Sequence, residues 1–250
     1  SLRRQRQMCI RDRADTVQQA RDAAEAVMVE YEELPMVVDL AAATADGAPQ
    51  LCDEAGGNIA AEMRHGSSEA ATAAFAKAAH VVALDVVNQR VVALTIEPRS
   101  VIAAPDADTG RLTIRMSTQM PSGVRDSICA AIGLAKDKVR VVVGDVGGGF
   151  GMKTGAYPED IAVAFAALQV KRPVKWVADR SEEFLSSAHG RDIEAKAELA
   201  LDADGRILAL RIKTLANVGA YATGTGVAIQ LLIGPWVPVS YTHLTLPTKA

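Results

Sequence analysis

The chain has 250 residues, 27 basic against 30 acidic side chains for a formal net charge of -3, and 49% hydrophobic but only 4% aromatic residues. This composition excludes a disordered, collagen-like or coiled-coil protein, and no apolar run reaches the roughly 18 residues that a membrane span requires. The weakly acidic balance and the scarcity of aromatic side chains argue against a nucleic-acid-binding surface.

The two ends of the chain differ in composition from the rest. Residues 1–13 carry five arginines and one acid, and residues 239–250 do not continue the pattern before them. Both stretches resemble translated library-adapter sequence at the edges of assembled metagenome reads, so we expect them to be non-native. Without their six basic and one acidic residues, the body (14–238) has 21 basic and 29 acidic side chains and a net charge of -8. We expect this acidic body to be a fragment of a longer protein.

The first predicted elements form a helix-then-strand unit. Thr16-Val17-Gln18-Gln19 has the form of a capping box, and alanines follow it at helical spacing. From 27 to 34 the apolar side chains alternate, which predicts a strand. Residues 41–68, rich in Ala, Gly, Asp and Pro, predict a surface connection, and residues 69–79 predict a short alanine-rich helix.

From His80 onward the pattern is dominated by strands. They are predicted over residues 80–87, 90–96, 111–119, 139–143 and 173–177, followed by a hairpin over 192–217 that turns at 202–205. The apolar character of 139–143 is typical of a strand buried on both faces. Helices are predicted from Ser122 to Leu134 and from Pro158 to Val170, the latter with proline in its first turn. The predicted fold class is therefore α+β.

A glycine-rich loop, Gly144-Asp145-Val146-Gly147-Gly148-Gly149-Phe150-Gly151-Met152-Lys153, joins a predicted strand to the second of these helices. Consecutive glycines accept positive φ, and they let main-chain N–H groups approach an anion or a flat ligand with no Cβ in the way. Taken alone, the loop is equally compatible with a tight strand-to-helix turn that binds nothing.

Two phosphate-binding motifs nearly fit this loop. Residues 147–154 have the spacing of a phosphate loop, but Met152 stands where that motif requires its second glycine. The dinucleotide pattern fails at the same residue, and no acidic residue ends a strand some 20 positions later. A glycine-loop nucleotide-binding module therefore remains the alternative function.

Cysteine and histidine patterns give no metal site. Cys52 and Cys129 are far apart and form no CxxC pair, so neither an iron–sulfur cluster nor a structural zinc site is predicted. The histidines lack the spacing of metal ligands. We therefore predict no metal held directly by protein side chains.

In chain order, several segments resemble the large, molybdopterin-binding subunit of the molybdenum hydroxylases, the family of xanthine dehydrogenase, aldehyde oxidoreductase and aerobic carbon monoxide dehydrogenase. The segments are ARDAAEAVMVEYEELPMVVD, NQRVVALTIEPRSVIA, STQ, DVGGGFGMK, RPVKWVADRSEEFLSSAHGRD and ELALDADGRILALRIKTLANVGAY. The resemblance implies three regions. Residues 14–50 would end a small hammerhead-type α/β domain, 51–80 would be a linker with a short helix, and 81–238 would begin a mixed α+β molybdopterin-binding domain.

The resemblance also implies which residues meet the cofactor, a molybdenum–molybdopterin group. The loop residues expected to line it are Gly148, Gly149, Phe150 and Gly151. Gln119 is expected to donate a hydrogen bond to an oxo ligand of molybdenum, a role that suits an amide because it stabilises an electron-rich oxygen without titrating. Lys153 is expected either to reach a cofactor phosphate or to be a solvated loop charge.

The implied activity is that of a molybdenum-dependent oxidoreductase. It would hydroxylate or oxidise a small carbon substrate, of the carbon monoxide or aldehyde type, with a molybdenum-bound hydroxyl as oxygen donor. In the purine-oxidising branch a glutamate follows the loop lysine, whereas here Thr154 does, which disfavours purines. The general-base glutamate of the family is expected beyond the C-terminus. No catalytic residue is therefore assigned within the chain, and the fragment alone is expected to be inactive.

The resemblance finally implies the setting of the subunit. The cofactor is expected in its cytosine dinucleotide form, with iron–sulfur clusters on a small partner subunit and FAD on a medium one. The expected assembly is a cytoplasmic dimer of heterotrimers that binds neither nucleic acid nor membrane.

Overall fold

A computed structural model of the chain describes residues 14–51, 55–219 and 226–228. The expected non-native ends, 1–13 and 239–250, lie outside the described residues, as does Cys52. The helices are α1 Val17–Glu25, α2 Leu40–Ala43, α3 Ser68–Phe75, α4 Pro121–Ile132, α5 Pro158–Val170 and α6 Arg180–Ser186. The strands are β1 His80–Asn88, β2 Val91–Val92, β3 Ser100–Pro105, β4 Leu112–Met116, β5 Val139–Val142, β6 Val174–Val177, β7 His189–Gly190, β8 Ile193–Leu201 and β9 Ile207–Ala216. The described part is thus mixed α+β, as predicted.

The chain divides into two compact units. In their described residues, the first consists of 14–34 and 93–187, and the second of 35–92 together with the residues from 188 onward. No helix in the described part of the chain is long and apolar enough to cross a membrane.

The first unit is built on a four-stranded sheet in the order β5-β4-β3-β6. β4 and β5 run parallel, and β3 is antiparallel to both of its neighbours. Alternate side chains of β3 and β4 are buried on the face covered by α4 and α5, because side chains of a strand point to opposite faces in turn. The core residues on this face are Val101, Ala103, Leu112, Ile114, Val124, Ile128, Cys129, Val139, Val163, Ala164 and Ala167.

Three predicted strands differ from the structure. Residues 27–34 form no strand, although α1 and its capping box before them are confirmed, with Gln19 N–H bonded to Thr16 Oγ1 at 3.2 Å. Of residues 90–96 only β2 pairs, since the chain then leaves the ladder and buries Thr95, whose hydroxyl donates to the Glu97 carbonyl. β5 is not buried on both faces, because it lies at the sheet edge, where Arg140 is exposed.

The short strand β7 was not predicted, and neither were three other elements. β3 begins directly after Glu97-Pro98-Arg99, and it becomes the strand that pairs with both β4 and β6. α6 begins behind Asp179, whose carboxylate accepts the Glu182 N–H at 2.7 Å. α2 lies within the predicted surface connection and is capped by Asp39 in the same way.

The second unit contains a three-stranded antiparallel sheet in the order β1-β8-β9. The hairpin predicted over 192–217 is confirmed as β8 and β9. Its turn is closed by a hydrogen bond from the Gly205 N–H to the Asp202 carbonyl at 3.1 Å, with Gly205 at a φ of 80°. Helix α3 packs on β9, where the Arg211 guanidinium lies 4.4 Å from the centre of the Phe75 ring.

Candidate functional site

The glycine-rich loop begins after β5 and ends in a helical turn, Met152–Thr154. Gly148 and Gly151 adopt φ values of 103° and 87°, which glycine tolerates and other residues resist. Phe150 also has a positive φ, 48°, at a cost on the order of 1 kcal/mol for an aromatic residue. Its ring is 77% exposed. A strained backbone that presents an exposed aromatic ring is typical of a ligand-binding loop.

Gln119 faces this loop from the segment that follows β4. Its backbone N–H donates to the Lys153 carbonyl at 2.9 Å, and its side-chain Oε1 accepts the Gly151 N–H at 3.1 Å. Because a main-chain N–H needs an acceptor, the oxygen of the amide points to Gly151 and Nε2 points elsewhere. No described residue accepts a hydrogen bond from Nε2, and the residue is exposed. Gln119 therefore offers an NH2 donor that the described part of the chain does not use.

The missing side chain of Gly149 makes this arrangement possible. A Cβ on Gly149 would lie 2.5 Å from Gln119 Oε1 and 2.6 Å from its Cδ, so the amide rests directly on the glycine backbone. Within the described part of the chain, nothing accepts from the N–H groups of Gly148, Gly149 and Phe150. Three main-chain donors and one amide donor on a loop favour a ligand with electron-rich oxygen or sulfur atoms.

The ion pair between Glu97 and the buried Lys153 supports the loop together with Ser117, and we call these three residues the loop clamp. Glu97 Oε2 accepts from the Ser117 hydroxyl at 2.7 Å, from the Gly147 N–H at 2.7 Å and from Lys153 Nζ at 3.2 Å. Burial raises the pKa of Glu97, but these three hydrogen bonds and the Lys153 charge outweigh it, so that the pKa lies below its ordinary value.

Lys153 is 2% exposed, so its interpretation as a solvated loop charge is wrong. Its three ammonium protons match three acceptors, namely Ser117 Oγ at 2.8 Å, the Glu97 carbonyl at 2.9 Å and Glu97 Oε2. The lysine of a phosphate loop instead has to reach the phosphates of the nucleotide. The geometry therefore does not support the nucleotide-binding alternative.

Arg99 fixes the segment that carries Glu97. It is 4% exposed, and its guanidinium lies 3.8 Å from the centre of the Tyr157 ring. It donates to Glu159 Oε2 at 3.3 Å and to the hydroxyls of Ser186 and Ser187. Its backbone N–H donates to Glu183 Oε1 at 2.9 Å. Such a group cannot turn without leaving buried partners unpaired.

Asp160, in the first turn of α5, is a second buried acid near this cluster. It is 4% exposed, and its Oδ2 accepts the Tyr157 N–H at 2.9 Å. Burial raises the pKa of Asp160 to about 6, although that hydrogen bond and the charge of Arg99 both act to lower it.

The raised pKa predicts a specific pH dependence of folding. The folded protein holds the Asp160 proton more tightly than the unfolded chain, so this contribution is complete below about pH 4 and is lost as the pH rises through about 6. Asp160→Asn keeps an acceptor for Tyr157 but cannot ionise. In denaturant unfolding, the free energy of unfolding of the variant should increase by about 2 to 3 kcal/mol relative to that of the wild type as the pH rises from 4 to 7. Asp108→Asn, at an exposed loop position, serves as the control. A constant difference between Asp160→Asn and the wild type across this range would contradict the prediction.

The structure brings together Gln119 and the loop residues singled out from the sequence, and it adds residues that the sequence did not indicate. The added residues that hold the loop in place are Glu97, Arg99 and Ser117. Thr118 also contributes, because its Oγ1 donates to the Lys153 carbonyl at 2.9 Å. All four residues lie within segments that carry the family resemblance, but no role was assigned to them from the sequence. Among the described residues, no three His, Cys, Asp or Glu side chains are grouped to hold a metal ion.

Comparison with known proteins agrees with this geometry. A family model described as the molybdopterin cofactor-binding domain matches residues 51–241. The carbon monoxide dehydrogenase large chain of Hydrogenophaga pseudoflava is 37% identical over 216 residues, which cover 81% of this chain and 27% of that protein. The 6-hydroxypseudooxynicotine dehydrogenase complex subunit gamma of Paenarthrobacter nicotinovorans is also 37% identical, over 81% of this chain and 25% of that protein.

A solved structure shares the fold as well. Quinoline 2-oxidoreductase from Pseudomonas putida 86 superposes with a TM-score of 0.75 and 36% identity, covering 83% of this chain and 26% of that one. The chain thus spans about a quarter of the length of each of these relatives. Because the family model covers most of its length and two of these relatives are 37% identical over 81% of it, the chain belongs to the molybdopterin cofactor-binding domain family.

Proposed function

We propose that this chain holds a molybdenum–molybdopterin cofactor against Gln119 and the loop Gly148–Gly151, as part of the large subunit of a molybdenum-dependent oxidoreductase. The observation that carries the proposal is the Gln119 amide, which is held by Gly151 through its oxygen and has no partner in the described chain for its nitrogen. When bound, the cofactor supplies the two-electron oxidation that protein side chains cannot perform.

The residues present fit such a group. The absence of side chains at Gly148 and Gly149 allows a bulky ligand to approach the backbone, and the unused N–H groups there would donate to its oxygen or sulfur atoms. The exposed Phe150 ring would cover one side of the ligand. For Lys153, direct contact with the cofactor remains a prediction. It would require the ammonium to give up one of its three present acceptors.

For the substrate we propose a small carbon compound, of the carbon monoxide or aldehyde type. Thr154 argues against purines, because its hydroxyl donates to the Gly151 carbonyl at 2.8 Å and supplies no carboxylate. Two of the relatives at 37% identity are named for carbon monoxide and for 6-hydroxypseudooxynicotine. An N-heterocycle is therefore the second candidate.

The proposal extends to the whole protein. Residues 14–50 would end a hammerhead domain, 51–80 would form a linker, and 81–238 would begin the cofactor domain. The cofactor would be the cytosine dinucleotide form. An iron–sulfur small subunit and an FAD medium subunit would complete a cytoplasmic dimer of heterotrimers. Support comes from the sequence resemblance, and both relatives are named as one chain of a larger assembly.

Replacing Gln119 tests the proposed cofactor contact. In the whole protein that contains this chain, Gln119→Ala removes the donor, and we expect about a tenfold lower molybdenum and pterin content, the usual scale for loss of a supporting hydrogen bond at a metal centre. Gln169→Ala, an exposed glutamine on α5, is the matched control and should change neither. Wild-type protein that lacks molybdenum and binds ATP tightly would contradict the proposal.

A further inference from the structure

The loop clamp connects two points of the glycine-rich loop, Gly147 and Lys153, through one ion pair. Glu97 holds Gly147, the first of the three consecutive glycines, through two hydrogen bonds: its Oε2 accepts the Gly147 N–H, and its own backbone N–H donates to the Gly147 carbonyl at 3.2 Å. Lys153 lies at the end of the loop, six residues later. Its ammonium binds the same glutamate, so Glu97 connects Gly147 to Lys153 across the loop.

Lys153 also acts through its backbone. Its carbonyl accepts the Gln119 N–H and the Thr118 hydroxyl, both at 2.9 Å. The position of Gln119 therefore depends on where the Lys153 main chain lies, and that in turn depends on the buried ammonium. Within the loop clamp, Lys153 is therefore the residue that connects the ion pair to the Gln119 amide.

We propose that Glu97 and Lys153 are positioning residues, which set the direction of the Gln119 amide and of the loop N–H donors toward the cofactor without touching it. This inference rests on the proposed function of the site. It also replaces a direct role for Lys153 by an indirect one, since a lysine that is 2% exposed and fully paired acts on its surroundings through its partners.

The chemistry of the Glu97–Lys153 pair explains how a charged lysine can hold the loop from a buried position. A buried ammonium is tolerated only when its protons are all accepted, and here two of its three acceptors belong to Glu97. Removing the ammonium leaves the Glu97 carboxylate, whose side chain is 33% exposed, free to turn to water and to release Gly147. Gly147 and Lys153 would then move together, and with them Gln119.

The test is a double-mutant cycle between Lys153→Met and Gln119→Ala in the whole protein purified with its partner subunits. Three quantities are measured for each variant: molybdenum and pterin content, the electron paramagnetic resonance signal of the half-reduced metal, and thermal unfolding of protein produced without molybdate. We expect Lys153→Met to lower the cofactor content about tenfold and to change the resonance signal of the molybdenum that remains. Gln119→Ala should change the signal in the same way, and the double variant should add nothing further.

Lys136→Met provides the matched control, because Lys136 forms an ion pair with Asp126 at 2.6 Å outside the site and is 63% exposed. It should leave all three quantities unchanged. If Lys153→Met lowers the unfolding temperature but leaves the resonance signal unchanged, or if its effect adds to that of Gln119→Ala, the clamp is merely structural and the inference is wrong. Wild-type protein without molybdenum would instead overturn the proposed function itself.

Discussion

Replacing Gly149 by alanine is expected to cause a large loss of cofactor, although it adds only one methyl group. The added Cβ would lie 2.5 Å from Gln119 Oε1 and 2.6 Å from Cδ, distances that real Cβ contacts do not reach. The amide must therefore move off the loop, which also frees the Gly151 N–H. We expect molybdenum and pterin content to fall at least about tenfold in the whole protein.

The same loop offers a matched control for this substitution. A Cβ on Gly144 meets no atom within 4 Å, and its φ lies outside the left-handed region. Gly144→Ala should therefore retain the wild-type cofactor content. Circular dichroism of both variants would show whether the fold is kept. A Gly149→Ala protein that is folded and fully loaded with molybdenum would show that Gln119 does not need this position.

The elements that could be predicted from the sequence are those whose signal is local. α5 begins and ends at the predicted residues, because a proline at its first turn and a run of apolar residues lie within its own thirteen positions. The β8–β9 hairpin is equally local, since its turn residues stand between two alternating segments. β3 contains Ala103, Ala104 and Pro105, which have low strand propensity, and it becomes a strand because β4 and β6 pair on its two sides.

The residues of the candidate site also differ in whether their signal in the sequence is local. The glycine loop is visible in the sequence because consecutive glycines are rare and have a physical use there. Gln119 was found only through a family resemblance. Glu97 and Arg99 could not be assigned, because their partners are distant in the chain: Gly147 is 50 residues from Glu97, and Ser187 is 88 from Arg99. Their roles follow from burial and contact, which no local pattern encodes.

Arg99→Met is expected to have the largest effect on stability. Methionine fills part of the space but leaves the Glu159 carboxylate and two serine hydroxyls without their donor, and it removes the stacking on Tyr157. Breaking a buried ion pair from one side costs about 3 to 5 kcal/mol. Denaturant unfolding should show a loss of this size at neutral pH, with an unchanged dependence on denaturant concentration.

Two further variants separate charge from geometry in this effect. Arg99→Lys keeps the positive charge but loses the planar fork that donates to three side chains at once, so we expect it to recover less than half of the lost stability. Arg140→Met, an exposed arginine on β5, should lie within about 0.5 kcal/mol of the wild type. Full recovery by lysine would mean that charge alone holds the cluster. The position of Glu97, two residues before Arg99, would then not depend on the guanidinium geometry, and the link from this buried cluster to the loop clamp would be lost.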